Sequence, residues 1–179
     1  RLVGSEMCIR DRAKGNYVVE EPEGYRRIIA APKPMDIYEI DAVNALLDAH
    51  QIVIAAGGGG IPVLEQRTRL KGASAIIEKD YAAARLAELT EADTLLFLTV
   101  YDKLTVNAGK PDERSFENVT VADLKPYATT GDFGPITTLP KVNAAIEFVE
   151  AGTGRKAVIA NLEHAKDALL GRCGTTITR

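Results

Sequence analysis

The residues in this sequence best suited to chemistry are two lysines, an aspartate and a run of glycines. Lys79 is followed by Asp80 where a short apolar segment gives way to a helical pattern. Lys141 stands at the opening of another helix, behind a proline-containing loop. A helix N-terminus carries roughly half a positive charge, so a lysine placed there adds cation to cation. An anion between the ammonium groups would reward that placement. For either lysine alone, a solvated surface position is the alternative. Asp80 would orient the two ammonium groups and limit their repulsion. Hydrogen bonds to charged groups are worth about 1.5–3 kcal/mol each. Several of them could hold a transferring phosphoryl group with no nucleophile on the protein, because that chemistry depends on positioning and charge stabilisation.

The glycines lie in "IVIAAGGGGIP", residues 52–62. Gly57, Gly58, Gly59 and Gly60 follow an apolar run of strand length, and ligands of open α/β sheets bind beyond the carboxyl ends of strands. Backbone without Cβ atoms can come close to a phosphate and form an anion-binding nest. A tight turn is the alternative, and one or two glycines would satisfy it. A phosphate loop of the G-x-x-x-x-G-K-[ST] type fails, because Pro62 occupies the second glycine position counted from Gly57. The dinucleotide fingerprint G-x-G-x-x-G fails at the same proline. The loop therefore belongs to another nucleotide-binding fold.

The elements that must position these residues read as alternating strands and helices. Strands are expected at 25–32, 51–56, 75–77, 93–100, 156–162 and 175–178. The segments at 51–56 and 93–100 are apolar on both faces, as central parallel strands are. Ile37, Ile40, Val43, Leu46 and Leu47 recur at helical spacing, with Asp36 as the expected cap and Glu39 three residues on. Further helices are expected at 80–89, from Thr120 with Asp123 three residues on, at 142–152 with Gly152 as C-cap, and at 163–171 closed by Gly171. Residues 101–119 and 131–140 read as loops. Alternation of this kind implies a mostly parallel sheet with helices on both faces, a three-layer αβα sandwich. No solenoid repeat is present and nothing within 13–179 reads as a linker.

Composition narrows the function. The chain has 179 residues, 46% of them hydrophobic, with a formal net charge of -3. A core is affordable, and the basic excess of a nucleic-acid binder is missing. No apolar run approaches the ~20 residues of a membrane span. Cys8 and Cys173 have no CxxC spacing, so neither a zinc site nor a disulfide framework is expected; incidental thiols in a reducing cytoplasm are. His50 and His164 have no partner at triad or metal spacing. "RLVGSEMCIRDR", residues 1–12, shares no period with the rest and resembles a translated adaptor; a short native strand is the alternative. It is set aside as a non-native leader, with 13–179 as the folded part and native sequence upstream of it missing.

Together the motifs resemble carbamate kinase, in the amino-acid kinase family. They are "GYRRIIAAPKPMDIYEI", "IVIAAGGGGIPVLE", "LKGASAIIEKDYAAARLAE", "LTVYDKLTVNAGKPDE" and the stretch from "LPKVNAAIEFVE" to "GTTI", which cover nearly all of residues 24–178 in the family's order. The resemblance implies the C-terminal, nucleotide-binding part of an enzyme that moves a phosphoryl group between ATP and carbamate, giving ADP and carbamoyl phosphate. It also implies magnesium carried by the nucleotide, a cytoplasmic homodimer and a role in arginine breakdown. Lys79 and Lys141 match phosphate-contacting lysines and Asp80 the carboxylate beside them. Thr99, Val100, Tyr101 and Asp102, with Asn107 and Pro111, match the loop bordering the nucleotide, and Leu139 lies in the segment before the second lysine. Gly57, Gly58, Gly59 and Gly60 match the family's glycine run. Tyr101 sits beside the implied adenine pocket.

There are two departures. The family's chains begin earlier, with a first strand, a glycine-rich loop and a further lysine that have no counterpart here, so the 179 residues alone are expected to be inactive. Ile136, Thr137 and Thr138 stand where the family usually shows Gly-Ser-Met, and β-branched residues do not take positive φ cheaply. Another amino-acid kinase, or a non-catalytic nucleotide-binding paralogue, is the alternative reading.

Overall fold

The computed structural model of the protein describes residues 17–21, 24–130, 133–135 and 137–179. Residues 1–12, expected to be a non-native leader, lie outside them, as does Ile136. The chain forms two compact units, one from residues 1–32 with 61–77 and one from 33–60 with 78–179.

The first unit is built from two hairpins. Strands β1 (Val18–Glu21) and β2 (Gly24–Arg27) pair antiparallel. Strands β3 (Val63–Gln66) and β4 (Arg69–Gly72) do the same. The strand expected at 25–32 thus ends at Arg27. The one expected at 75–77 reduces to a single parallel bridge, Ala75 to Ala30, with Ile76 N–H donating to Ala30 O at 2.9 Å. The β3–β4 hairpin gave no sequence signal because its turn has no Asn-Gly or Asp-Gly pair. Arg67 takes the left-handed conformation there instead, at φ 56°.

The second unit holds the main sheet, with strands β5 (Thr94–Thr99), β8 (Asn118–Thr120), β9 (Lys156–Asn161) and β10 (Thr175–Thr178) in the order β5-β9-β10-β8. β5 runs parallel to β9 and β8 parallel to β10, while β9 and β10 are antiparallel. Helices cover both faces, and β9 shows how. Ala157 and Ile159 join a core that includes Val142, Ala145 and Phe148 of one helix, whereas Val158 and Ala160 pack with Ala168 on the opposite side. Alternation along one strand therefore makes the middle layer of an αβα sandwich. The helices are α1 (Ile40–Asp48), α2 (Lys79–Leu89), α3 (Val121–Thr130), α4 (Thr138–Glu150) and the short α5 (Ala165–Leu169), which follows a single 3-10 turn. Ala82, Ala84 and Ala87 of α2 and Ala144 and Ala145 of α4 are buried. Small side chains on both helices let α2 and α4 pack closely.

Several expectations need correction. Residues 51–56 form no strand: Ile52 and Ile54 are each 97% exposed. An apolar run becomes a strand only where another strand supplies hydrogen bonds, and no described strand does so. The presumed loop 101–119 contains β8 and also a hairpin, β6 (Leu104–Val106) with β7 (Arg114–Phe116). Its strands are three residues long, and the turn residues around them hid the alternation. Leu104 and Val106 are nonetheless fully buried. Asp36 does not cap α1: its Oδ1 accepts from Ile37 N–H at 2.8 Å, and the helix begins at Ile40. Thr120 does cap α3, its Oγ1 accepting from Asp123 N–H at 3.2 Å. α4 starts at Thr138, earlier than expected, with Pro140 in the first turn, where a missing N–H is tolerated. Gly152 follows the C-cap Ala151, and the nearest atoms to a Cβ there would be those at the far end of the Arg155 side chain, with Nε at 2.7 Å.

Phe148 of α4 is 1% exposed at the centre of this core. Phe148→Ala is expected to destabilise the protein by about 3–5 kcal/mol, measured as a lowered midpoint in urea unfolding with an unchanged slope.

Candidate active site

Lys79 and Lys141 lie 62 positions apart in sequence but share one partner in space. Asp80 is the second residue of α2 and is 3% exposed. Lys141, in the first turn of α4 and 8% exposed, donates from Nζ to Asp80 Oδ1 at 2.8 Å. Its ammonium also lies 5.2 Å from the centre of the Phe97 ring on β5, within cation–π range. Lys79 Nζ is 3.6 Å from Asp80 Oδ2, an ion-pair distance too long for a hydrogen bond. Its hydrogen bond goes to Glu78 Oε1 at 3.1 Å. That bond holds the Lys79 ammonium above its ordinary pKa, with the Asp80 charge adding to it and partial burial opposing it. The two lysines differ in freedom, since the Lys79 side chain is 52% exposed and that of Lys141 10%.

Tyr101 and Thr138 close the inner side of the cluster. Thr138 begins α4 and is 2% exposed. Burial pushes the Tyr101 phenol above its usual range; the Thr138 hydroxyl opposes that shift and the Asp80 charge adds to it. Tyr101 is held at its backbone by Thr99, whose Oγ1 donates to Tyr101 O at 2.8 Å and lies 3.2 Å from Ala160 O. The sequence reading named Tyr101 but not Thr138 as a site residue. Its signal was the spacing to Lys141, because residues three apart share a helix face.

The other expected residues spread outward. Val100 is 94% exposed. Asp102 Oδ1 accepts from Asn161 Nδ2 at 2.9 Å and lines an open cleft of about 470 Å³ with His164 and Arg172. Asn107, at φ 55°, donates to Asp112 Oδ2 at 2.6 Å in the turn of the β6–β7 hairpin, which also carries Pro111. Leu139 packs against the core beside Lys141. In the glycine run, Gly59 is buried and its three neighbours are exposed. Gly59 and Gly60 have φ 132° and 84°, values that L side chains rarely adopt. A Cβ on Gly58 would meet nothing within 4 Å, so no packing inside the chain demands that glycine. The run's described hydrogen bonds are local, from Gly57 N–H to Ala55 O and Gly59 N–H to Ala56 O. The replaced Gly-Ser-Met stretch shows no strain at its described residues: Thr137 has φ -77°, Thr138 is helical, and Gly134 takes the positive φ. Among the described residues no cluster of His, Cys, Asp and Glu could hold a metal ion, and no helix is long and apolar enough to cross a membrane.

The αβα sandwich thus brings two lysines and a carboxylate together at the N-termini of α2 and α4. Residues 6–161 match the amino acid kinase family, and the chain belongs to it. Among individual relatives it is similar to carbamate kinase of Clostridium perfringens, 45% identical over 170 residues that cover 94% of this chain and 54% of that protein. It is equally similar to a carbamate kinase-like protein of Escherichia coli, 45% identical over 175 residues, covering 97% and 56%. Among solved structures it resembles carbamate kinase from Giardia lamblia bound to AMP-PNP, with a TM-score of 0.87 and 34% identity over 99% of this chain and 57% of that one. The chain spans about half the length of the curated relatives it matches.

Removing one member of a buried ion pair leaves the other charge uncompensated. Lys141→Ala is expected to cost about 3–5 kcal/mol in urea unfolding. The double variant Asp80→Asn with Lys141→Met is expected to recover most of that loss, which separates the charge penalty from lost packing.

Proposed function

We propose that the protein is the nucleotide-binding part of a carbamate kinase, an enzyme that converts ADP and carbamoyl phosphate to ATP and carbamate and the reverse. In the ATP-forming direction, the bond between phosphorus and the carbamate oxygen breaks. A bond from phosphorus to a β-phosphate oxygen of ADP forms. Charge on the phosphoryl oxygens in the transition state is what the protein must stabilise. The single observation carrying this reading is the convergence of Lys79 and Lys141 on buried Asp80. Two ammonium groups and one carboxylate leave one positive charge, which Glu78 balances through its contact with Lys79. A half-exposed pair such as Lys79–Glu78 is worth at most about 1 kcal/mol, so a phosphate oxygen can displace Glu78. Lys141, held by Asp80, would meet the phosphoryl group from the other side.

Magnesium would arrive on the nucleotide's phosphates. Thr99, Val100, Tyr101, Asp102, Asn107 and Pro111 would border the nucleotide, with Leu139 beside them and the glycine run Gly57, Gly58, Gly59 and Gly60 at the phosphate end. The working enzyme would be a cytoplasmic homodimer serving arginine breakdown. A second reading, a nucleotide-binding paralogue without turnover, is favoured by the likeness to a protein named only carbamate kinase-like.

Calorimetric titration of ADP is expected to give one site per chain. Lys79→Ala and Lys141→Ala should each weaken it by about ten- to a hundredfold, the worth of one charge-assisted hydrogen bond. ATP formation from ADP and carbamoyl phosphate is expected from the chain extended by its upstream reading frame and lost on Lys141→Ala. Absence of ADP binding by the intact protein would refute the reading, and binding without turnover in the extended chain would favour the paralogue.

A further inference from the structure

Three polar atoms at the Lys141–Asp80 pair are buried and make no hydrogen bond among the described residues: Asp80 Oδ2, the Tyr101 hydroxyl and Thr138 Oγ1. They come from three elements, α2, the turn after β5 and the first turn of α4. Thr138 stands three residues before Lys141 on α4, and Tyr101 packs against the core that holds Phe97; the Thr138 hydroxyl and the Asp80 charge both influence the Tyr101 phenol. Buried polar atoms are rarely left unpaired, and each such atom in a native structure calls for a reason.

The three are complementary. Asp80 Oδ2 can only accept, and each hydroxyl carries one O–H donor and can accept as well. If one hydroxyl donates to the other and the second donates to the carboxylate, none of the three stays orphaned. Apolar residues of similar volume would fill the same space, so a hydroxyl at both buried positions is the feature to explain. Lys141 occupies Asp80 Oδ1 from the far side. Lys79, at 3.6 Å, contributes charge but no hydrogen bond to Oδ2.

We propose that Tyr101 and Thr138 are positioning residues for Lys141: their hydroxyls, directly or through one trapped water, anchor the second oxygen of Asp80 and so fix the carboxylate on which the Lys141 ammonium rests. Neither hydroxyl touches the transferred group. This role rests on the reading of Lys141 as a phosphate-contacting residue, and it gives Tyr101 a task apart from lining a nucleotide pocket. The charge that acts on the Tyr101 phenol is that of Asp80 on α2, which itself is paired with Lys141 on α4 and lies near Lys79.

The test uses the intact chain labelled with 13Cζ-tyrosine, with Tyr101→Phe identifying the resonance. At neutral pH, Asp80→Asn and Thr138→Val should each shift the Tyr101 signal, and Thr138→Ser should leave it near its native position. On raising the pH, Thr138→Val should move the phenol titration upward and Asp80→Asn downward. With ADP as probe, Tyr101→Phe and Thr138→Val should weaken binding about three- to tenfold, the range expected for one hydrogen bond, and Thr138→Ser should restore it. A Tyr101 signal indifferent to both Asp80→Asn and Thr138→Val would overturn the network. ADP binding unchanged in Tyr101→Phe and Thr138→Val would overturn the positioning role. Coupled resonances in a protein that does not bind ADP would uphold the network while removing the kinase reading, so the two failures are distinguishable.

Discussion

The contact between Lys141 and Asp80 is the constraint around which the second unit is organised. It ties the first turn of α4 to the first turn of α2. The alanine faces of these two helices allow the close packing that the contact requires. As a source of stability the pair has little to recommend it. Taking two charges out of water costs several kcal/mol per ion, and well-packed apolar residues would often serve as well or better. What an ion pair supplies and apolar residues cannot is a cation held at a fixed point. Phe97 beneath the ammonium and the core around α4 leave Lys141 little room to move.

Lys79 belongs to the opposite regime. Its side chain is half exposed and bonded to Glu78, whose side chain is also accessible. A pair of that kind is held weakly and exchanges partners easily. One ammonium is therefore fixed and one adaptable, on either side of a shared carboxylate. A site that must accept and release an anion is served by that division: the fixed cation sets geometry, and the mobile one follows the charge.

Much of this could be read from residue types. Lys79, Asp80 and Lys141 were legible because each sits at a junction where a helix begins, and helix starts are marked by short-range signals. The middle layer was legible in β5 and β9, whose four central residues are apolar on both faces. What escaped was whatever depends on distant partners. Residues 51–56 have strand composition, yet no described strand pairs with them. The β6–β7 hairpin has strands too short for a visible period, but Thr175 Oγ1 accepts from Leu104 N–H at 2.9 Å and donates to Phe116 O, fastening both of its strands to β10. Thr138 reads as a loop substitution and is a buried helical residue. In each case the deciding neighbour is set by topology, which residue spacing does not encode.

The strand order carries a consequence for assembly of the sheet. β10 lies inside it, between β9 and β8. Until it arrives, β8 has no partner in that sheet and the β6–β7 hairpin lacks the threonine that fastens it. Without β10 in place, the β5–β9 pair and β8 are separate pieces with open edges. Unpaired edges of this kind invite association with other chains, so the docking of one four-residue strand both joins the sheet and removes those edges.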